Sequence, residues 1–523
     1  MATHYRAGLV AAWLVVCLAQ PAHGLDEAEQ RGKQIYLEGT SARGNLINAV
    51  VGVEQTLIPA AAIPCANCHV YDGLGRPEGG VVPTDVRWSQ LSKTYGHVHE
   101  DGRRHPTFDE HSLTRSIIAG VDPANNRLDT SMPLYLLNTE DAADLVAYLK
   151  VLEDDLDPGI EEGHVRVASL LPLDGRSAEL GEAMQQAMRA SFAEANAQGG
   201  VFGRKIDLVT VPLGATPEAS LANLQEVLGR QGVFALVGGY TIGLDDVLLE
   251  TLRYDNVPLV GPFTLDPGDA LLNSAAFYLY PGFKEQVRVL ADHAIEQAGS
   301  ASKVLVASPG MGAHDELIRS IEDQLQRHGD EKANATTFTP GGADAAALAE
   351  RIRQSGAESV IFLGAHEDLE SLLVALAIKG LAPRIYVLSS YLRRPLFDTP
   401  KLFDQRIVIA YPTLSSDISS QGRSDYQDLA KRYALPSTNI QAQVASLSAA
   451  RVFLEGLRRA GRDLDRTRLA EGIEAMYTFQ TGFTPPLTYG PNRRIGARGA
   501  HLLTVDIENQ TMIPVGDSWH EVR

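Results

Sequence analysis

Two hydrophobic periods divide the chain. In its first part, apolar positions recur at helical spacing in two stretches: Ala28, Ile35 and Tyr36 within Glu27–Leu37, and Ala142, Leu145, Val146, Tyr148 and Leu149 within Asp141–Val151. Residues three or four apart share a helix face, so this spacing predicts an N-terminal and a C-terminal helix, each with one buried stripe. Beyond residue 164, short β-branched runs alternate with longer amphipathic stretches. Strands are expected at Val165–Leu171, Ile206–Val211, Val233–Val237 and Val257–Val260, with helices at Ala178–Ala197, Pro217–Leu228 and around Asp246–Leu252. After Pro281-Gly282 the pattern restarts, with strands at Lys303–Ala307, Ser359–Leu363, Ile385–Leu388 and Ile407–Ala410 between helices near 285–297, 313–327, 343–355 and 367–379. Such alternation implies parallel sheets covered on both faces, and two runs imply two α/β lobes.

Between the two regimes, Glu153 to Gly163 is acidic, is broken by Pro158-Gly159 and has no apolar period. The expected organisation is a small domain over 25–154, a linker over 155–163 and a large unit over 164–523. Its first lobe is placed at about 164–282 and 413–490, and its second at about 283–412 and 491–523. No internal repeat or low-complexity tract interrupts this plan.

Residues 1–24 carry one charged side chain, Arg6, then an apolar run Gly8–Ala19 and a small-residue close, Pro21-Ala22-His23-Gly24. That layout predicts a removable secretory signal, because the run is well short of the roughly 20 residues a spanning helix needs. No membrane span is expected once it is removed. With 523 residues, 44% hydrophobic and 21% charged, the chain reads as an ordinary globular protein of about three domains or lobes. A formal charge of −19 argues against nucleic acid as a partner.

The three cysteines are Cys17, inside the predicted signal, and the pair in Cys65-Ala66-Asn67-Cys68-His69. Residues three apart in one helical turn fall on one face, so Cys65 and Cys68 can each bond a vinyl group of one porphyrin, and His69 then lies beside the iron as its proximal ligand. The competing readings are a zinc half-site, which needs a second ligand pair, and a redox dithiol, which needs a βαβ context. The expected cofactor is one covalent haem c. Its attachment outside the cytoplasmic membrane agrees with the signal and with a periplasmic address.

The two terminal helices around CxxCH, followed by Thr130-Ser131-Met132-Pro133-Leu134-Tyr135, resemble a class I cytochrome c over about residues 26–153. The resemblance implies a small all-α domain in which Met132 supplies the sixth iron ligand. A thioether there favours ferrous iron and fills the open position, which makes the domain an electron carrier. The alternatives, His97, His99, His105 and His111, lie in a hydrophilic stretch and read by default as surface residues.

The larger unit carries a second resemblance. Leu171-Pro172-Leu173-Asp174-Gly175, the stretch Glu194 to Ile206 containing Asn196, Gly199, Gly200, Val201, Gly203 and Arg204, and Ala235 to Thr241 are similar to the type I periplasmic solute-binding proteins of the branched-chain amino acid and amide class. That likeness covers 164–523 and implies a two-lobed α/β fold of Rossmann-like parallel sheets, which closes about a hinge on a solute bound between the lobes. Candidate ligand residues sit after strand ends: Asp174, Tyr240, Thr241, Phe263, Thr264, Tyr280, His366 and Tyr391. Tyr240 and Thr241 occupy the place where family members hydrogen-bond an acidic ligand group. Amino-acid binders of this class set an acid in the second lobe for the ligand ammonium, whereas this chain has Ser389-Ser390-Tyr391 there and Glu367 and Asp368 nearby. A small organic solute is therefore expected: an amino acid, an amide, or an aromatic or organic acid.

Three function classes follow: a solute-binding protein with an electron-transferring haem, an accessory electron acceptor of a periplasmic dehydrogenase, and a haem enzyme such as a peroxidase, with the substrate-binding component of an ABC importer as a further alternative. The first implies a periplasmic redox partner, and an ABC permease or a sensor kinase is the further partner class. An enzyme such as a haem peroxidase is not expected, since Met132 would occupy the iron; no Ser-His-Asp, phosphate-loop or metalloprotease motif is present.

Overall fold

The computed structural model describes residues 25–523 apart from 71, 76, 78, 79, 100, 101, 255, 268–274, 311, 329–333 and 523. The predicted signal, residues 1–24, lies outside the described residues. Chain contacts divide the molecule after Leu156, with the second unit starting at Asp157.

In the first unit, the helix Glu27–Glu38 starts in a capping box of Asp26 and Glu29 and stops at Gly39, whose φ of 66° any other residue would adopt only at a cost. It packs on the helix Thr139–Val151, begun by the Asn138 side chain accepting from Asp141 N. Gly32 permits the close approach: a methyl there would meet the backbone carbonyl of Asp144 and lie 2.7 Å from Tyr148 Cβ. Tyr36 and Tyr148 meet at 5.6 Å between ring centroids, and Arg31 and Arg43 both reach Asp144, at 2.8 and 3.0 Å. A third helix, Glu110–Ala119, buries Leu113 and Ile117 against the same core.

The unit is not all helix. Asn48–Val51 pairs antiparallel with Thr56–Pro59 through a turn at Gly52 and, on its other side, with Leu134–Leu136. These three- and four-residue strands are too short to show a period of two in the sequence, which is why the sequence points to an all-α domain.

The second unit begins before residue 164. Ile160–Glu161 pairs antiparallel with His164–Leu171, and the Asp157 carboxylate accepts from Arg466 N at 2.6 Å. Part of the acidic stretch read as linker is therefore an edge strand. The first lobe's parallel strands run in the order Lys205–Pro212, His164–Leu171, Ala235–Val237, Leu259–Val260, Ala276–Phe277. The second lobe repeats it with Asn334–Thr337, Val304–Ser308, Ser359–Phe362, Arg384–Leu388 and Ile407–Tyr411, then adds Gly499–Asp506 and Thr511–Glu521 antiparallel. The second sheet is therefore mixed. In both lobes the order reverses beside the first strand of the run, which opens a crevice at the carboxyl ends of the strands. The helix Ile440–Ala460 returns to the first lobe and buries Ala449, Ala450 and Phe453 in its core. Tyr278 N and Ala497 N donate to Arg494 O and Leu279 O, joining two of the segments that cross between lobes.

Candidate functional site

Pro64 and the single-turn helix Ala66–His69 hold the CxxCH segment, and Val70, at φ 53°, ends it. Two buried tyrosines brace its ends: Tyr135 Oη donates to Ile63 O at 2.6 Å and Tyr36 Oη donates to Val70 O at 2.7 Å. Burial pushes both phenols well above their ordinary range, so they remain donors. His69 is buried, and its Nδ1 lies 2.9 Å from Thr84 O, a contact that places the ring proton there and leaves Nε2 with its lone pair. Burial also holds the imidazole below its ordinary pKa, in the neutral form that binds iron.

Two cavities of about 250 and 540 Å3 adjoin this turn and share Cys65, His69, Thr84, Leu128, Met132 and Tyr135 in their walls. Together they fall in the range expected for a cofactor site. Leu91, Phe108, Leu113, Ile117, Leu145 and Leu149 supply the apolar lining. The residues fit a haem: two thiols three apart, a buried neutral imidazole, a thioether in the wall of both cavities and an apolar body. Cys65 keeps some exposure, yet burial pushes its thiol up to about 12, which does not suit a reactive dithiol. Among the described residues, no three or more His, Cys, Asp or Glu side chains are arranged to hold a metal ion.

The histidines depart from expectation. His97, His99 and His105 all line the smaller cavity, and His105 is 6% exposed. The hairpin His97–Val98 with Arg104–His105 turns them inward although their sequence neighbourhood is charged. Arg103, in the wall of both cavities, is held at 3.1 Å by the buried Asp122.

In the larger unit, Tyr240 and Phe263 face each other at the carboxyl ends of their strands, with rings stacked at 6.1 Å. Thr241 and Thr264, read as ligand hydrogen-bonders, give their hydroxyls to Asp245 instead, each at 2.7 Å. Burial pushes Asp245 up to about 6 despite those two donors. Asp266, not singled out in the sequence, has a buried Oδ1 without a partner and is likewise pushed up to about 6 by burial. Its carboxylate adds to the burial that raises Tyr391, a second-lobe residue flanked by Phe283 at 5.9 Å and His314 at 6.1 Å.

Asp174 is exposed at the start of a 3-10 turn and makes no capping bond. Tyr280 is partly buried beside Ser448 and Thr413 at the crossing segments. His366 is 3% exposed, opens the helix His366–Ile378 and lies 3.4 Å from Glu370. The second-lobe acids weighed for an ammonium are engaged elsewhere: Asp368 accepts from Gly341 N and Gly342 N, and Glu367 pairs with Arg393 at 2.5 Å. The signal for Asp245 and Asp266 was available in the sequence, since both follow strand ends within a few residues of Thr241 and Thr264.

Fold and site together define a two-lobed α/β solute-binding protein with a cytochrome c unit ahead of it. The chain belongs to the periplasmic binding protein family, whose profile matches residues 164–510, and the cytochrome c profile matches residues 56–153. Such a unit carries haem c covalently, and the binding-protein family is periplasmic. Among curated relatives, an "Amino acid binding protein" of Pseudomonas aeruginosa is 25% identical over 41% of this chain, and "Leu/Ile/Val-binding protein homolog 3" of Brucella melitensis is 22% identical over 39%. The matches span 57% and 55% of those relatives' own lengths. A solved branched-chain amino acid ABC transporter structure from Thermus thermophilus with bound valine has a TM-score of 0.50 at 18% identity, covering 68% of this chain and 96% of that one. One assigned to the same kind of protein from Rhodospirillum rubrum has a TM-score of 0.53 at 18% identity, covering 67% and 99%. At that identity the likeness shows the fold. No described helix is long and apolar enough to cross a membrane.

Proposed function

We propose that the chain is a periplasmic solute-binding protein whose single haem c, bonded to Cys65 and Cys68 and ligated by His69 and Met132, passes electrons to a redox partner. The observation that carries this reading is the convergence of Cys65, Cys68, His69 and Met132 on one cavity wall in a chain that also holds a complete clamshell. The haem supplies one-electron chemistry when bound; the chain's residues hold it, exclude water and fix the His69 tautomer. With both axial positions filled, the role is electron transfer and ligand binding rather than catalysis.

Relatives named for leucine, isoleucine and valine support a small organic solute with an apolar body. Tyr240, Phe263 and Tyr391 would enclose that body, and Asp266, with its partnerless carboxylate oxygen, would receive a cationic or donor group. Coupling of solute occupancy to the redox partner belongs to the same proposal, as does delivery of the solute to a permease or sensor.

Two measurements test it. Ferric protein should show the near-infrared sulfur-to-iron band, and Met132→Ala should abolish it; a spectrum that the substitution leaves unchanged excludes Met132 as ligand. A thermal-shift panel of branched-chain and aromatic amino acids, their amides and their keto acids should contain a compound that raises Tm by several degrees. A flat response across the panel would count against solute binding of this class.

A further inference from the structure

The histidine trio beside the haem cavity is not used by the function above. His99 Nε2 and His105 Nε2 are 2.9 Å apart, and His105 Nδ1 lies 2.8 Å from Pro106 O, with Phe108 edge-on to its ring. His105 is therefore held from both sides. His97 differs: it lines the same cavity as His69 and Met132, and its Nε2 is buried without a hydrogen-bond partner. Its ring sits 4.9 Å from that of His105, in cross-strand register on the hairpin, so the backbone holds it in place.

A buried imidazole nitrogen with no partner is costly, so one beside a cofactor cavity calls for a group that would satisfy it. The carbonyls of Leu91 and Gln90 beside His97 accept only N–H, so they favour the proton on the nitrogen facing them and leave a lone pair on the other. That is the tautomer of an iron ligand, and it matches the dressing of His69 by Thr84 O. Burial, aided by His105 and Lys93, holds His97 below its ordinary pKa, so the lone pair is present without loss of a proton.

We propose that His97 is a second sixth-position ligand to the haem iron, taking the coordination site whenever Met132 does not hold it. The proposal rests on the haem reading above. The exchange breaks an iron–sulfur bond and forms an iron–nitrogen bond; no electron is transferred, and a neutral imidazole releases no proton. Its consequence is a change in potential, since bis-imidazole coordination favours ferric iron where the thioether favours ferrous. Departure of the sulfur would then leave a low-spin haem of lower potential in place of an open iron.

The test compares full-length holoprotein in five forms, by ferric electron paramagnetic resonance, visible spectrum and midpoint potential: wild type, His97→Ala, Met132→Ala, Met132→Ala with His97→Ala, and Met132→Ala with His99→Ala. Covalent haem content and thermal unfolding of each form show whether it has folded. The expected result is a low-spin Met132→Ala protein without the sulfur band and with a lowered potential. It should become high-spin when His97, but not His99, is also removed. A Met132→Ala protein that is already high-spin, or one that stays low-spin without His97, overturns the proposal. If the wild type itself lacks the sulfur band and loses its low-spin signal on His97→Ala alone, the Met132 assignment fails while His97 ligation stands. Folded wild type that carries no covalent haem refutes the parent reading and this one together.

Discussion

At the scale of a single residue, Asp245 is a carboxylate placed where its charge is disfavoured. Burial raises it to about 6, and the hydroxyls of Thr241 and Thr264, which favour the ionised form, recover only part of the cost. In the unfolded chain it titrates near about 4. Between those values the native state binds a proton that the unfolded state does not. The stability this group contributes is therefore complete below about pH 4 and is lost as pH rises through about 6. Asp245→Asn keeps an acceptor for one threonine and carries no charge. It is expected to unfold later than wild type by on the order of 1–3 kcal/mol at pH 7, with the advantage gone below about pH 4. Urea unfolding of both proteins across that pH range measures it, and parallel curves would remove the case for a destabilising buried charge. Asp245 also explains why strand-end threonines mislead: a hydroxyl beside a cleft reads as a ligand contact until the acid that takes its proton is seen.

At the scale of elements, the closest packing in the haem unit is the crossing of its two terminal helices, and Gly32 sets its distance. A methyl at Gly32 would collide with the Asp144 carbonyl and press on Tyr148, and the Arg31 bridge to Asp144 ties the same two helices, with Arg43 reaching the same carboxylate from the loop after the first. Gly32→Ala is expected to destabilise this unit by about 3 kcal/mol, as overpacking of a close contact does. A methyl added at Gly229, in the helix Pro217–Gln231, would meet no atom within 4 Å, so Gly229→Ala should instead stabilise by about 0.5–1 kcal/mol. Opposite shifts in the urea midpoint, read by haem absorbance for the first and by far-ultraviolet dichroism for the second, are the check. Legibility followed the same physics. The central strands were readable because they are buried β-branched runs, as in Val304–Ser308 and Ile407–Tyr411. Asn334–Thr337 and Thr511–Glu521 were not, since they lie at the two edges of their sheet and are largely polar or broken by proline and glycine. The helix Ser420–Tyr433 fully buries only Gly422, and its few apolar positions, among them the half-buried Tyr426 and Leu429, lie from its middle onward after a polar start. CxxCH was legible because covalent chemistry demands local spacing. The inward turn of His97, His99 and His105 was not, because a two-residue hairpin pairing creates it within a charged stretch.

At the scale of the whole molecule, coupling between solute and iron is a thermodynamic quantity with two faces. If closure on a solute changes the haem's midpoint potential, then reduction of the haem must change the solute's affinity by the same factor, because both measure one coupling free energy. The prediction is that the compound identified by thermal shift moves the potential by an amount corresponding to a five- to tenfold change in Kd between ferric and ferrous protein, about 1–1.4 kcal/mol. Spectroelectrochemistry with and without saturating compound gives one side of the cycle. Calorimetric titration of the oxidised and the reduced protein gives the other, and the two sides must agree. A conformational change can shift an equilibrium only by the difference in affinity it creates, so identical potentials with identical affinities would show two independent modules sharing a chain. Matching non-zero values would make the clamshell a regulator of electron transfer.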